Sequence, residues 1–168
     1  TGQEITICVD AQCRYSTTGE GLHRYRDPED GRYYLYTQFE PEDAHRAWPC
    51  FDQPDIKPQW TFHVIAPSFW VVTSNGVATT TDLEESNTRW DFSTTPPLSS
   101  YITAVVAGQW AIVDGGTWEG SAGDGASACL DLRLMCRQAL AEAMDSDDIL
   151  AVTRAGLDHY HAHYGYTY

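Results

Sequence analysis

The sequence predicts a mainly β protein, an antiparallel β-sandwich or saddle, followed by a short α-containing segment. Three observations lead there. Up to residue 113, several short runs alternate apolar and polar residues, a period of two that turns one face to a core and the other to water. Turn residues separate these runs, among them Asn75-Gly76, a strong hairpin signal. A helical pattern takes over only after residue 137.

In chain order, residues 33–39 are aromatic and β-branched enough for a strand. Trp60-Thr61-Phe62-His63-Val64 alternates large apolar with polar residues, as a half-buried strand does. Residues 69–74 form the next strand and lead into the Asn75-Gly76 turn; residues 88–92 alternate again. Residues 101–113 are expected as one long apolar strand, buried on both faces. Leu130, Leu132, Leu134 and Cys136 alternate with Asp131, Arg133 and Met135, giving one more strand. Residues 138–144 suit a short helix. Ser146 is the expected N-cap of a longer one, with Asp147 and Asp148 in its first turn, where the helix dipole favours them. Ile149, Val152, Leu157 and Tyr160 are expected to form its apolar stripe, and Gly165 to end it. The resulting division is a β domain over residues 1–114, incomplete at its start, a glycine-rich loop over 115–127, and a truncated second domain beginning at 128–168. No internal repeat is present.

The net charge is −14, from ten basic and twenty-four acidic residues. Phosphate binding needs clustered Lys and Arg, so nucleic acid is not expected as a partner; nor is an anionic membrane surface. Hydrophobic residues make up 42% of the chain, enough for a core. The five cysteines, at 8, 13, 50, 129 and 136, form no C-x-x-C pair. They read as small buried hydrophobes of a reducing, cytoplasmic protein. No signal peptide or transmembrane run is present. The chain starts at Thr1, not Met, and is expected to be a piece of a longer protein.

The chain contains no H-E-x-x-H, no G-x-S-x-G and no phosphate-cradling loop. His159 and His163 have the spacing of a helical metal pair, but a third ligand is missing and His161 points elsewhere. A solvated helix surface is the preferred reading, and no metal site is assigned. Glu84-Glu85 and Asp147-Asp148 read as a polar turn and a helix start rather than acid–base pairs.

The run over residues 34–60 is different. It is too aromatic for a solvated linker, and its four prolines exclude a helix. It reads as a rigid loop around a buried knot, Trp48-Pro49-Cys50-Phe51-Asp52. Gln38 and Glu40 share one face of the strand before it. A carboxylate so held could bind an ammonium group, with the amide orienting it. On spacing alone the plainer reading, an ordinary strand-end glutamate, comes first.

The run also closely resembles a known family. Tyr36-Thr37-Gln38-Phe39-Glu40-Pro41-x-Asp43-Ala44-His45-Arg46-x-Trp48-Pro49-Cys50-Phe51-Asp52-Gln53-Pro54-x-x-Lys57 resembles the aminopeptidase N family of zinc metallopeptidases, whose pattern there is T-Q-x-E-x-x-x-A-R-x-x-F-P-C-F-D-x-P-x-x-K. The lead-in Gly19-x-Gly21-Leu22-His23-Arg24, then Ser74-Asn75-Gly76, then residues 95–104, TPPLSSYITA, match further family motifs in the right order. So does Tyr164-Gly165-Tyr166-Thr167-Tyr168, with Thr167 where the family usually has Pro. Together they look most like bacterial, actinomycete-type members.

The resemblance implies a β-saddle N-terminal domain packed on a thermolysin-like catalytic domain, of which this chain would hold only the start. It implies zinc in the parent enzyme and none bound by this chain. The G-x-M-E-N and H-E-x-x-H segments are absent here, so no catalytic residue is assigned and the isolated chain is expected to be inactive. Gln38 matches the family's glutamine beside the S1 pocket. Glu40 matches the carboxylate that holds the substrate's free α-amine. The implied partners are a peptide N-terminus and the missing catalytic domain. Arg46, Asp52 and Lys57 match motif positions and are read as framework, with Arg46 and Asp52 expected to pair. The alternative is a stand-alone β-sandwich binding or interaction module without catalysis.

Overall fold

Strand formation begins where the β-rich composition begins. In the computed structural model, which describes residues 2, 4–121 and 127–165, β1 (Gly21–Arg26) and β2 (Tyr33–Gln38) form the first antiparallel pair. They are followed by β3 (His63–Pro67), β4 (Val71–Ser74), β5 (Ala78–Asp82), β6 (Asn87–Phe92) and β7 (Val105–Gly108). Then come β8 (Trp110–Ser121), β9 (Ser127–Arg137) and α1 (Ser146–Tyr164), with short 3-10 turns at Ala44–Arg46, Ser100–Ile102 and Gln138–Ala143. The chain divides into two compact units, Thr1–Gln109 and Trp110–Tyr168.

In the first unit the strands form two antiparallel sheets, in the order β1-β2-β7-β4 and β3-β6-β5. Leu35, Ala66, Val72, Phe92 and Ala107 form one buried cluster, supplied by both sheets. Alternating apolar residues on the two inner faces are what a sandwich needs. The fold is thus mainly β and antiparallel, as the sequence predicts.

The sequence reading is corrected in several places. Asn75-Gly76 does not close a paired hairpin: β4 pairs with β7, whereas β5 pairs with β6 in the other sheet. The turn carries the chain between sheets. Asn75 accepts from the Ala104 amide at 2.6 Å and donates to the Ile102 carbonyl at 3.1 Å. Gly76 has φ +98°, and a Cβ there would stand 2.7 Å from the Ser93 carbonyl oxygen, so only glycine fits.

The expected long strand over 101–113 is three pieces: a 3-10 turn, β7 and β8. The break between β7 and β8 follows Gly108, which has φ +153° and where a Cβ would stand 2.9 Å from the Tyr33 carbonyl oxygen.

In the second unit, β8 and β9 form one hairpin with an irregularity between Asp114 and Thr117. It crosses the boundaries expected at 114 and 128. Residues 115–121, expected in a glycine-rich loop, belong to β8. Residues 122–126 of that loop lie outside the described residues, as does the Tyr166-Thr167-Tyr168 end of the last motif. The glycines serve packing instead. A Cβ on Gly115 would meet the Leu150 side chain at 2.5 Å, and one on Gly120 would meet the Trp118 ring at 2.2 Å. Their bareness lets α1 and an indole lie against the strand.

The helix itself starts one residue earlier than expected. Asp145, not Ser146, is the N-cap and accepts from the Asp148 amide, while Gly165 closes the far end in the left-handed conformation. Its packed face also differs. Trp118 donates to Asp158 at 2.8 Å and meets His161 edge-on at 4.9 Å, and Arg154 donates to the carbonyls of Thr117 and Gly115. Ile149, Val152 and Tyr160 of the expected stripe are exposed. The strand offers carbonyls and an indole, so a mixed polar face satisfies it better than an aliphatic one.

Candidate functional site

β2 ends by alternation. Tyr36, Gln38 and Glu40 are exposed, while Phe39 between the last two is 1% exposed. Gln38 ends β2 and Glu40 lies in the turn just after it, both exposed on either side of buried Phe39. Phe39 is held by the indole of Trp48, edge-on at 4.8 Å, and Trp48 in turn lies 5.3 Å from Phe62. Directly after Phe39 the chain bends through a cis Glu40-Pro41 bond, and the Asp43 amide bonds back to the Phe39 carbonyl at 2.8 Å. Ala44 at the foot of this bend is fully buried. Glu40 thus sits on a bend anchored on both sides.

The loop beyond the bend is clamped by Asp52. One carboxylate oxygen accepts from the Ser100 hydroxyl at 2.5 Å, and the other meets the His45 amide at 3.1 Å and its Nδ1 at 2.9 Å. Burial works to raise the Asp52 carboxyl, but the hydrogen bonds from Ser100 and His45 outweigh it and hold it below the usual carboxylate range. The bond to Asp52 raises the His45 imidazole above its ordinary value, against some desolvation. Burial pushes the Cys50 thiol up and the Asp52 charge adds to this, so Cys50 is no poised thiolate.

The same loop is zipped to residues 95–100. The Ser99 hydroxyl donates to the Pro54 carbonyl at 2.5 Å, the Leu98 amide to the Pro58 carbonyl at 3.0 Å, and the Trp60 indole to the Leu98 carbonyl at 3.0 Å. Prolines cannot donate, so their carbonyls need donors from elsewhere, and this Ser-rich segment supplies them.

The expected Arg46–Asp52 pair is not formed. Arg46 binds Asp43 at 2.9 Å and Glu20 at 3.1 Å, because the 3-10 turn sets Arg46 three residues from Asp43, within reach, while Asp52 is satisfied by His45 and Ser100. The knot is also less buried than the sequence suggests, since Phe51 is 78% exposed. The His45–Asp52–Ser100 clamp went unread because the sequence shows the hydroxyls and the carboxylate but not that their loops meet.

Most acids near the bend are thus engaged: Glu20 and Asp43 by Arg46, Asp52 by His45 and Ser100. Among the described residues, nothing engages the side chains of Gln38 and Glu40 by hydrogen bond or ion pair. Glu42, two residues further along the same turn, is likewise exposed and unengaged. An exposed carboxylate on a fixed backbone, beside a free amide, is a receptor for a cation with N–H donors.

No group of three His, Cys, Asp or Glu among the described residues could hold a metal ion. The residues present therefore do not fit a zinc site. His159 and His163 are exposed and stack at 5.5 Å, while His161 is 6% exposed and packs on Trp118. The solvated-surface reading holds for the first two and not for His161.

The fold is a mainly β, antiparallel domain. The chain belongs to the Peptidase M1 N-terminal domain family, whose profile matches residues 2–102. It is 43% identical over 160 residues to aminopeptidase N of Streptomyces lividans, covering 95% of this chain and 18% of that protein. It is 40% identical to aminopeptidase N of Acetobacter pasteurianus over 48% of this chain and 23% of that protein. To the alanine/arginine aminopeptidase of Saccharomyces cerevisiae it is 32% identical, over 54% of this chain and 11% of that protein. The chain thus spans between 11% and 23% of the length of these relatives. No helix among the described residues is long and apolar enough to cross a membrane, which leaves β-barrels unaddressed.

Proposed function

We propose that this chain is the N-terminal, substrate-facing portion of a cytoplasmic zinc-dependent aminopeptidase that releases N-terminal amino acids from peptides. The observation that carries the reading is Glu40, exposed and unengaged on an anchored bend in a Peptidase M1 N-terminal domain. Glu40 binds the α-ammonium of the substrate, and Gln38 beside it orients that group. A carboxylate that must meet a free N-terminus admits only peptides whose first residue lies at the site, which makes the enzyme an exopeptidase.

The zinc and the residues that hold it lie in the parent enzyme outside these 168 residues, with the unit Trp110–Tyr168 leading into that catalytic domain. The chain alone is then inactive. None of the five cysteines is buried, contrary to the reading from sequence: Cys8, Cys13 and Cys129 are exposed and Cys50 and Cys136 half-buried; the cytoplasmic assignment rests on their being unpaired.

The test uses the full-length parent protein. Loss of a charge-assisted hydrogen bond costs about 1.5–3 kcal/mol, so Glu40→Ala lowers kcat/KM on peptides by roughly 10- to 100-fold. Unchanged kinetics would remove Glu40 from the site. In parallel, the 168-residue chain is assayed with an aminoacyl anilide and zinc, and robust turnover overturns its assignment as a non-catalytic part.

A further inference from the structure

One face of α1 is taken up by β8. His161 and Asp158 meet Trp118, and Arg154 donates to β8 carbonyls. His159 and His163 are exposed instead. They are four residues apart on the helix, so their side chains stand one above the other on successive turns. Their rings are nearly parallel, with 12° between planes and 5.5 Å between centroids. Neither ring makes a hydrogen bond or ion pair with a described residue. A neutral imidazole carries one acceptor nitrogen, so one stretch of helix offers two free nitrogen lone pairs side by side.

The surroundings favour a cation at that place. The pair lies in the last turns of α1, before Gly165 closes the helix, where the carbonyl end of the helix dipole is negative. The chain carries a net charge of −14, which concentrates cations around it. Access is open as well. Ala155 and Ala162, the small neighbours on the same helix, are exposed, and a Cβ added at Gly156 would meet nothing within 4 Å.

The number of donors selects the ion. A metal bound at about 2.0–2.1 Å by two imidazoles at right angles holds their nitrogens roughly 3 Å apart. The terminal torsion of histidine is soft, so both rings can turn toward one point. Two nitrogens fall short of the three or four protein donors that hold zinc, and no group of three ligands is found among the described residues. Tetragonal ions that accept water in their other positions suit two adjacent nitrogens better. These are Cu²⁺ and Ni²⁺, which also stand highest in the affinity order for such donors.

We propose that His159 and His163 form a two-nitrogen chelating site for a divalent late transition metal, Cu²⁺ or Ni²⁺, with water completing its shell. The inference stands apart from the peptidase reading, since it rests on neither Gln38 nor Glu40.

The test titrates the 168-residue chain with Ni²⁺, because Cu²⁺ would oxidise the free thiols. Calorimetry gives the affinity, and the ring-proton resonances of the six histidines show where the paramagnetic ion sits. One ion per chain is expected, with the His159 and His163 signals broadened first. His159→Ala and His163→Ala should each raise Kd by about tenfold or more, since the second donor no longer acts at high effective concentration. His63→Ala, whose ring bonds Asp91 at 2.5 Å, should leave Kd unchanged. Circular dichroism checks that the variants keep the helix, and the broadening pattern of the unmutated chain decides the matter even where they do not. Broadening of His45 or His63 ahead of the pair overturns the proposal. So does an unchanged Kd in both variants, which would place the ion on other groups. A loss in only one variant overturns it too, because the site would then be a single imidazole.

Discussion

Asp52→Ala should loosen the loop that carries Glu40, and the size of the effect follows from the bonds lost. The Asp52 side chain is 9% exposed, and the Ser100 it receives is 1% exposed. Removing the carboxylate leaves a buried hydroxyl donor without its acceptor, which costs about 1–3 kcal/mol. The two bonds from His45 lie nearer solvent, with its side chain 56% exposed, and add little because water screens them. The expected loss is about 1–3 kcal/mol, or a fall of roughly 0.5–1.5 M in the urea midpoint with an unchanged slope. Asp52→Asn keeps an oxygen for Ser100 but turns an amide donor toward the His45 donors, so about half that loss is expected. Urea titration followed by tryptophan fluorescence measures both variants. A double-mutant cycle with Ser100→Ala should return a coupling of about 1–2 kcal/mol. An Asp52→Ala midpoint indistinguishable from the parent, or no coupling to Ser100, would refute the clamp.

The other expectations concern separate parts of the molecule. The His45 imidazole is raised above its ordinary 6.5 by Asp52, so its contribution is full below that value and fades as pH rises through the raised one. The Asp52 carboxyl is lowered, so its share is present above the ordinary carboxylate value and fades only in stronger acid. Urea midpoints from pH 5 to 8 should therefore fall on the alkaline side, and His45→Ala should flatten that slope; an unchanged slope counts against the pair. Trp118, 3% exposed and bonded to Asp158, should cost about 3–5 kcal/mol when changed to Ala, read as a lower melting temperature. Gly76→Ala places a Cβ 2.7 Å from the Ser93 carbonyl at a positive φ. It should cost about 1–3 kcal/mol, and a neutral result would mean that the turn relaxes.

What could be read from the sequence follows the range of the forces involved. Alternation in β6 and β9, and aromatic, β-branched composition in β2, need only neighbours along one strand, and they mark these strands nearly to their ends. The Asn75-Gly76 signal is just as local and told correctly of a turn, but not which strands it joins. Its sequel depends on β7 and β6, whose pairing with β4 and β5 is settled some thirty and ten residues further on. The glycine-rich segment failed for a related reason. Glycine weakens an isolated strand by its lost entropy, so residues 115–121 read as loop. The compensation comes from Leu150 and Trp118 lying where side chains would have been, and a local window does not contain Leu150.

The site divides along the same line. That Gln38 and Glu40 share a face is a two-residue expectation from alternation; the structure has both exposed, with β2 ending at Gln38 and Glu40 in the turn beyond it. Their availability is a statement about every neighbouring charge. Glu20, Asp43 and Asp52 were as eligible as Glu40 by residue type, and Arg46 was expected to take Asp52. The fold instead gives Arg46 to Glu20 and Asp43 and gives Asp52 to His45 and Ser100. Each of these pairings discharges an acid that could otherwise compete for a cation. Among the described residues Glu40 and Glu42 are left unengaged, so the network that stiffens the loop also reduces the number of acids open to a cation. A loop stabilised by apolar packing alone would have left five acids to compete. On the proposed function, weakening Asp52 should affect binding at Glu40 through position rather than through charge.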